Sequence, residues 1–237
     1  MKKLYFYFLY TVEILKREKE RLILSILAGF IVAFMFSLYS TYTYSENIQK
    51  NIAEKVVRFH VLANSNSSED IELKYKVRDA LLKYTENFDC NTRDEFIDVL
   101  NSNMEGIDEI VKNTLIENNS DYTSKVFLSR DIFPYKEYGD VVFPAGEYLG
   151  LRVEIGEAKG NNWWCVMFPS MCFNDDSCKS TGSQGMINLK NALDNEEYNI
   201  VTAKKSNSIV PKIKFKIVEL WQESKYNKND FVTNSDK

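Results

Sequence analysis

A run of 24 residues without a single charge, "LILSILAGFIVAFMFSLYSTYTYS" from Leu22 to Ser45, constrains this chain more than any other feature. Its apolar part, Leu22 to Tyr39, is 18 residues long, close to the ~20 needed to cross a hydrocarbon core as a helix. Lys16, Arg17, Lys19 and Arg21 stand just before it, and the next basic residue is Lys50. That asymmetry places the N-terminus in the cytoplasm and everything after Ser45 outside. The run exceeds the ~7–15 residues of a signal-peptide core, and no clean Ala-x-Ala site follows. An uncleaved signal-anchor is therefore the favoured expectation, with a cleaved signal peptide as the alternative. A buried core helix of a soluble protein is the third reading, disfavoured because charge-free runs this long belong in lipid.

The expected organisation is a cytoplasmic segment (1–21), the membrane segment (22–45), one exported domain (46–222) and a disordered tail (223–237). Within the domain, residues 174–212 are rich in Asp, Asn, Ser and Lys and weakly periodic, and are expected to be a mobile insertion with a short helix near Met186 to Leu193. The residues after Ser45 carry 31 acidic and 24 basic side chains, net −7. This balance argues against nucleic acid as a partner, because no basic surface faces the phosphates.

The exported part opens on "KVVRFHVLAN" (Lys55 to Asn64). Val57, Phe59 and Val61 alternate with Arg58 and His60, which predicts a half-buried strand. Ser67 or Ser68 then caps a helix whose first turn is acidic. Its stripe is Leu73, Val77, Leu81, Tyr84 and Phe88, at helical spacing. A second helix is predicted from Arg93 to Asn118, with Phe96, Leu100, Met104, Ile107, Val111 and Leu115 on one face. Strands follow at Tyr122–Ser129, Glu147–Ile155, Trp163–Pro169 and Lys212–Trp221. Between them lie a loop with Pro134, Gly139 and Pro144, and a glycine-containing hairpin turn from Gly156 to Asn162. The expected fold is α+β: two helices on one face of a mostly antiparallel sheet.

A reaction centre is hard to assemble from these residues. His60 is the one histidine, and the cysteines are Cys90, Cys165, Cys172 and Cys178. There is no C-x-x-C, so no metal site or cofactor is expected. Four cysteines allow three full pairings; the simplest arrangement is one disulfide, Cys165–Cys172, across the bend at Pro169. A hydrolase would need His60 with Cys165 as a thiol pair, or with Glu147 as a carboxylate partner. By elimination the domain is a binding or signalling module. The aromatic stretch "WWCVMFPSMCF" (Trp163 to Phe173) is its best surface candidate. Trp163 and Trp164 are adjacent on a strand and must point to opposite faces. Either one is core and the other an exposed anchor, or both pack inside.

Three stretches resemble one family. "VVRFHVLANSNSSEDIELKYKVRDALLKY" (Val56 to Tyr84) is similar to the R-x-H-x-x-A-N-S-x-S-x-x-D…L-K-x-x-V-R-D pattern of the stage II sporulation protein R family, through Arg58, His60, Ala63, Asn64, Ser65, Ser67, Asp70, Leu73, Lys74, Val77, Arg78 and Asp79. "FPAGEYLGLRVEIGEAKGNNWWCVMFPSMCF" (Phe143 to Phe173) and "KFKIVELWQ" (Lys214 to Gln222) resemble it too. The resemblance implies a protein made in the forespore and exported into the space between the two sporulation membranes. There it would activate a membrane-embedded aspartic protease that processes pro-sigma-E; it would be an activator, not an enzyme. The residues expected to meet that partner are His60, Asn64, Asp70, Arg78, Asp79, Glu147, Trp163 and Trp164. The competing expectation is that Asn64 to Asp70 form the strand-to-helix turn and Arg78–Asp79 a structural ion pair.

Overall fold

The computed structural model describes residues 2–172 and 184–203, together with 216, 217 and 220. The chain divides into two units, Met1–Tyr44 and Ser45–Lys237. The first contains helix α1 (Lys2–Arg17) and most of α2 (Lys19–Ala53). α2 is the one helix among the described residues long and apolar enough to cross a membrane, and its apolar side chains from Leu22 to Tyr42 are exposed. The same helix fits a membrane anchor or a signal sequence. Its last turns belong to the second unit, where Ser45, Ile48, Gln49, Ile52 and Ala53 are buried.

The second unit is α+β around a four-stranded sheet. Strand β1 (Val57–Leu62) leads through α3 (Ser68–Thr85), α4 (Arg93–Ser102) and α5 (Met104–Glu117) to β2 (Ser124–Phe133). Two short strands, β3 (Lys136–Tyr138) and β4 (Val141–Phe143), pair with each other before β5 (Gly146–Ile155) and β6 (Asn162–Phe168) complete the sheet. The strand order is β2-β5-β1-β6. β5 runs antiparallel to β2 and parallel to β1, while β6 is antiparallel to β1. The sheet is thus mixed, not mostly antiparallel as expected. The cause is the link Gly156–Asn161, which is not a hairpin turn. It carries the chain over the end of β1, so that β5 and β6 flank β1 and do not pair with each other.

One sheet face builds the main core. Phe59, Val61, Leu151, Val153, Cys165 and Met167 meet Leu73, Val77 and Leu81 of α3, Phe96 and Leu100 of α4, and Ile107, Val111 and Leu115 of α5. These are the predicted stripes. The second predicted helix is broken in two at Asn103, which leaves helical geometry (φ −105°, ψ 10°) and bonds the Val99 carbonyl through Nδ2 at 2.8 Å. The break lets Gly106 sit against the Tyr84 ring, whose hydroxyl reaches Asn103 Oδ1 at 3.3 Å.

The other sheet face was expected to be wet, yet every residue of β1 is buried. The predicted loop around Pro134 and Pro144 contains the β3–β4 hairpin. Its Tyr138 and Phe143, with Phe133, Tyr148 and Trp164, surround Arg58 and His60. Within the stretch expected to be mobile, Gln184–Ala192 and Asn195–Val201 form helices α6 and α7. Lys55 holds α7 to the start of β1 through Glu197, at 2.6 Å. The strand expected over Lys212–Trp221 lies outside the described residues apart from 216, 217 and 220, which are helical.

Gly160 passes so close to β1's exit that an added Cβ would meet the Ser65 carbonyl and the Ala63 methyl. Gly160→Ala should therefore cost about 1–3 kcal/mol, the usual penalty of forcing a methyl into packed backbone. The urea midpoint of the purified chain reads this directly.

Candidate functional site

The polar residues after β1 form a latch at the end of the sheet. Ser67 caps α3, its hydroxyl accepting the Asp70 N–H at 3.1 Å. That fixes Asp70 under the turn, where it accepts Asn64 Nδ2–H at 2.9 Å and the Ser65 hydroxyl at 2.5 Å. Asn64 then turns its Oδ1 outward to the Glu157 N–H (2.9 Å), and Asn66 Oδ1 takes the Asn161 N–H (2.7 Å). The backbone adds Lys159 N–H to Asn64 O and Gly160 N–H to Ala63 O. Lys74 Nζ donates to Asn161 O at 3.2 Å. Burial works against ionisation of Asp70, yet hydrogen bonds from Ser65, Asn64 and Tyr122 hold its carboxyl below the usual range. Asn64 and Asp70 are thus engaged in holding the β5–β6 link across β1. Gly156, at φ +58°, lies against the Asn64 side chain and has room for no Cβ.

A second group lies on the covered sheet face. Arg58 is fully buried. Its Nε donates to Cys165 O (3.2 Å), one terminal nitrogen donates to the Tyr138 hydroxyl (3.1 Å), and Nη1 has no acceptor among the described residues. The guanidinium carbon sits 4.8–5.9 Å from the rings of Phe133, Tyr148, Phe143 and Tyr138, inside cation–π range. His60, two residues on, stacks on Trp164 with centroids 4.7 Å apart. Its Nε2 is 3.4 Å from Asp131 Oδ2 but is not aligned for a hydrogen bond.

Asp131 accepts the Ser129 hydroxyl and Arg152 Nη1–H (3.2 Å), and Arg152 continues to Glu154 at 2.7 Å. Burial pushes the His60 pKa down, against the pull of Asp131. The Asp131 carboxyl is drawn down to about 2, by His60 beside it, then by Ser129 and Arg152. Asp131 carries no sequence signal, and Arg152 and Glu154 read as the polar side of their strand, Glu154 also as a glycosidase-type pair with Glu147. Charged residues alternating along a strand look like its wet face, and the rings that cover this face come from the β3–β4 hairpin and its flanks.

The register separates the proposed reacting groups. Phe59 faces Cys165 across β1–β6 and His60 faces Trp164, so the Cys165 and His60 side chains lie on opposite faces of the sheet. Cys165 is also bonded to Cys172, with Cα atoms 5.5 Å apart, an ordinary disulfide separation. Glu147 is exposed, 3.5 Å from Arg130, and on the opposite side of β5 from Tyr148 and Arg152. Cys90 is the free thiol among the described residues; burial, then Glu95 and Asp89, push its pKa up and away from thiolate chemistry.

Of the two tryptophans, Trp164 is core and Trp163 is half-buried on the helix side. Arg78 lies over Trp163 at 5.0 Å and over Tyr75 at 4.6 Å, and bonds Asp79 at 2.7 Å. Tyr75, Arg78, Asp79 and Trp163 therefore make one surface patch where α3 crosses β6.

These features define a chain with one membrane-length apolar helix and an α+β domain. The domain's recurring polar residues serve as latch, buried support and surface patch. Residues 53–178 match the family described as Stage II sporulation protein R (spore_II_R), and the chain belongs to that family. It is 37% identical over 135 residues to Stage II sporulation protein R of Bacillus subtilis (strain 168), covering 56% of this chain and 60% of that relative. No solved structure matches it.

His60 is the only histidine, so it dominates side-chain titration between pH 7.5 and 5.5. Its folded pKa lies below 6.5, so the unfolded chain takes up the proton first and stability falls as pH drops through 6.5. Asp131, depressed from 3.8, adds a further loss below pH 4. The urea midpoint should decline from pH 7.5 to 5.5 in the wild type and stay flatter in His60→Gln.

Proposed function

We propose that this chain is an exported signalling protein of sporulation that activates a membrane-embedded aspartic protease to process pro-sigma-E. The observation that carries the reading is membership of the stage II sporulation protein R family over residues 53–178. The apolar helix α2 supports export or anchoring, which would bring residues 46–222 to the intermembrane space between forespore and mother cell. The geometry favours binding over chemistry, since His60 faces away from both Cys165 and Glu147. The hydrolase alternative is thereby left without its reacting pair.

Activation then rests on a surface. The patch of Tyr75, Arg78, Asp79 and Trp163 offers the residue types that dominate interface energetics, Trp, Tyr and Arg. A partner shifts the protease towards its active state only by binding that state better than the inactive one. His60, Trp164, Asn64 and Asp70 act indirectly in this reading, by holding β1, β6 and the start of α3 that carry the patch.

Co-expression with the cognate membrane protease and the sigma-E precursor in a non-sporulating bacterium tests this, with precursor cleavage followed by immunoblot. Cleavage should depend on this chain. Trp163→Ala should weaken apparent affinity by about 30-fold, the effect of losing a 2 kcal/mol hot spot. Cys165→Ser, where it accumulates folded, should retain signalling. No cleavage with all three proteins present and this one exported would overturn the reading, and loss only in folded Cys165→Ser would return the case to thiol chemistry.

A further inference from the structure

β2 is an edge strand of ten residues. It pairs with β5 over an unbroken register from Ser124↔Ile155 to Phe133↔Gly146, with no bulge and no proline. Among the described residues its outer edge has no neighbouring strand, and no backbone hydrogen bond other than those to β5 reaches residues 124–133. Only Phe133 of its side chains is fully buried. The opposite edge is treated differently. There the chain after β6 folds back, and Met171 N–H and Cys172 Sγ both meet the Val166 carbonyl. Long flat edges are ready templates for another strand, and soluble proteins normally shorten, bend or cover them.

The charges along the edge indicate what completes it. Two copies of one strand meeting antiparallel, with the two-fold perpendicular to the sheet, pair residues of the same face, so paired numbers differ by an even count. Centred on Leu128, such a pairing sets Lys125 opposite Asp131 twice. It also places Val126 beside the Arg130 stem, Phe127 beside Ser129 and Leu128 beside its own copy. Moving the centre to Phe127 or Ser129 leaves Lys125 opposite Ser129 or Phe133, and centring on Arg130 faces two guanidiniums. Lys125 is exposed and has no ion pair among the described residues. Asp131 lies beside His60, accepts the Ser129 hydroxyl and pairs with Arg152, and these partners draw its carboxyl down.

We propose that the unpaired edge of β2 binds a second copy of this chain, strand to strand and antiparallel about Leu128, to form one eight-stranded sheet. The contact does not depend on the protease reading and can be tested without the protease. The full chain is expressed in membranes in a Cys90→Ser, Cys178→Ser background, and Leu128→Cys is oxidised mildly. Residue 128 should cross-link to itself, whereas Lys112→Cys on exposed α5 should not. In parallel, two differently tagged copies without the Leu128 change should co-purify. Lys125→Glu, which faces Asp131 with a like charge, should weaken that co-purification by about tenfold, since two cross-strand pairs change sign. The proposal is overturned if residue 128 cross-links no better than residue 112. It is also overturned if co-purification is indifferent to Lys125→Glu.

Discussion

The structure depends on a central strand sealed on both faces. β1 carries Phe59 and Val61 towards the helices, which any amphipathic strand could do. Towards the other side it carries Arg58 and His60, both fully buried. A guanidinium withdrawn from water is tolerable only when its charge is answered. Here the answer is two hydrogen bonds, to Cys165 O and the Tyr138 hydroxyl, and four aromatic ring faces within 6 Å. Among the described residues no carboxylate takes part. The rings come from the end of β2, from both arms of the β3–β4 hairpin and from β5. One arginine therefore explains why the sheet needs its small second layer, and why Gly150 beneath Phe133 must lack a side chain.

The polar pattern after β1 is likewise set by what the sheet must bury. Read as a string, R-x-H-x-x-A-N-S-x-S-x-x-D looks like a binding motif because so many of its members are polar. In space most of it is turned inward. Ser67 caps a helix, Asp70 collects hydrogen bonds from Asn64, Ser65 and Tyr122, and Asn64 and Lys74 tie down the β5–β6 link. That link must cross β1 because β5 and β6 lie on either side of it. The latch is the local consequence of the topology, and it leaves Arg78 and Asp79 at the surface beside the half-buried Trp163.

What was legible in the sequence followed periodicity over ten residues or more. The stripes of α3, α4 and α5 and the alternation in β5 place the main core residue by residue. So does the adjacency of Trp163 and Trp164, which fixes opposite faces before either environment is known. What was not legible depends on distant covering. Arg58 and His60 alternate with apolar residues just as a wet face would, and the aromatic residues of Phe133–Tyr148, with Trp164, make that face interior. The β3 and β4 strands are three residues each, too short for a period to register, and Pro134 and Pro144 signal a loop. Asn103 breaks a helix whose stripe continues across the break, so the stripe concealed the joint. The parallel pairing of β1 and β5 hinged on one glycine-containing link whose composition suits a hairpin equally well.

The two surfaces left to the domain lie at opposite edges of one sheet. Trp163 and Arg78 belong to the β6 side, and the open backbone belongs to β2. Strands are spaced about 4.8 Å apart, so joining two copies through β2 puts the two β6 strands roughly 34 Å apart, at the outer ends of a continuous sheet. Pairing of copies would not cover the aromatic patch; it would present that patch twice, related by a two-fold axis. A receptor that is active as a symmetric pair is favoured by a ligand that is itself two-fold, because the second contact forms at a high effective concentration. In that arrangement the unused edge and the half-buried tryptophan would serve one end, setting both the valency and the spacing with which the domain would meet a partner.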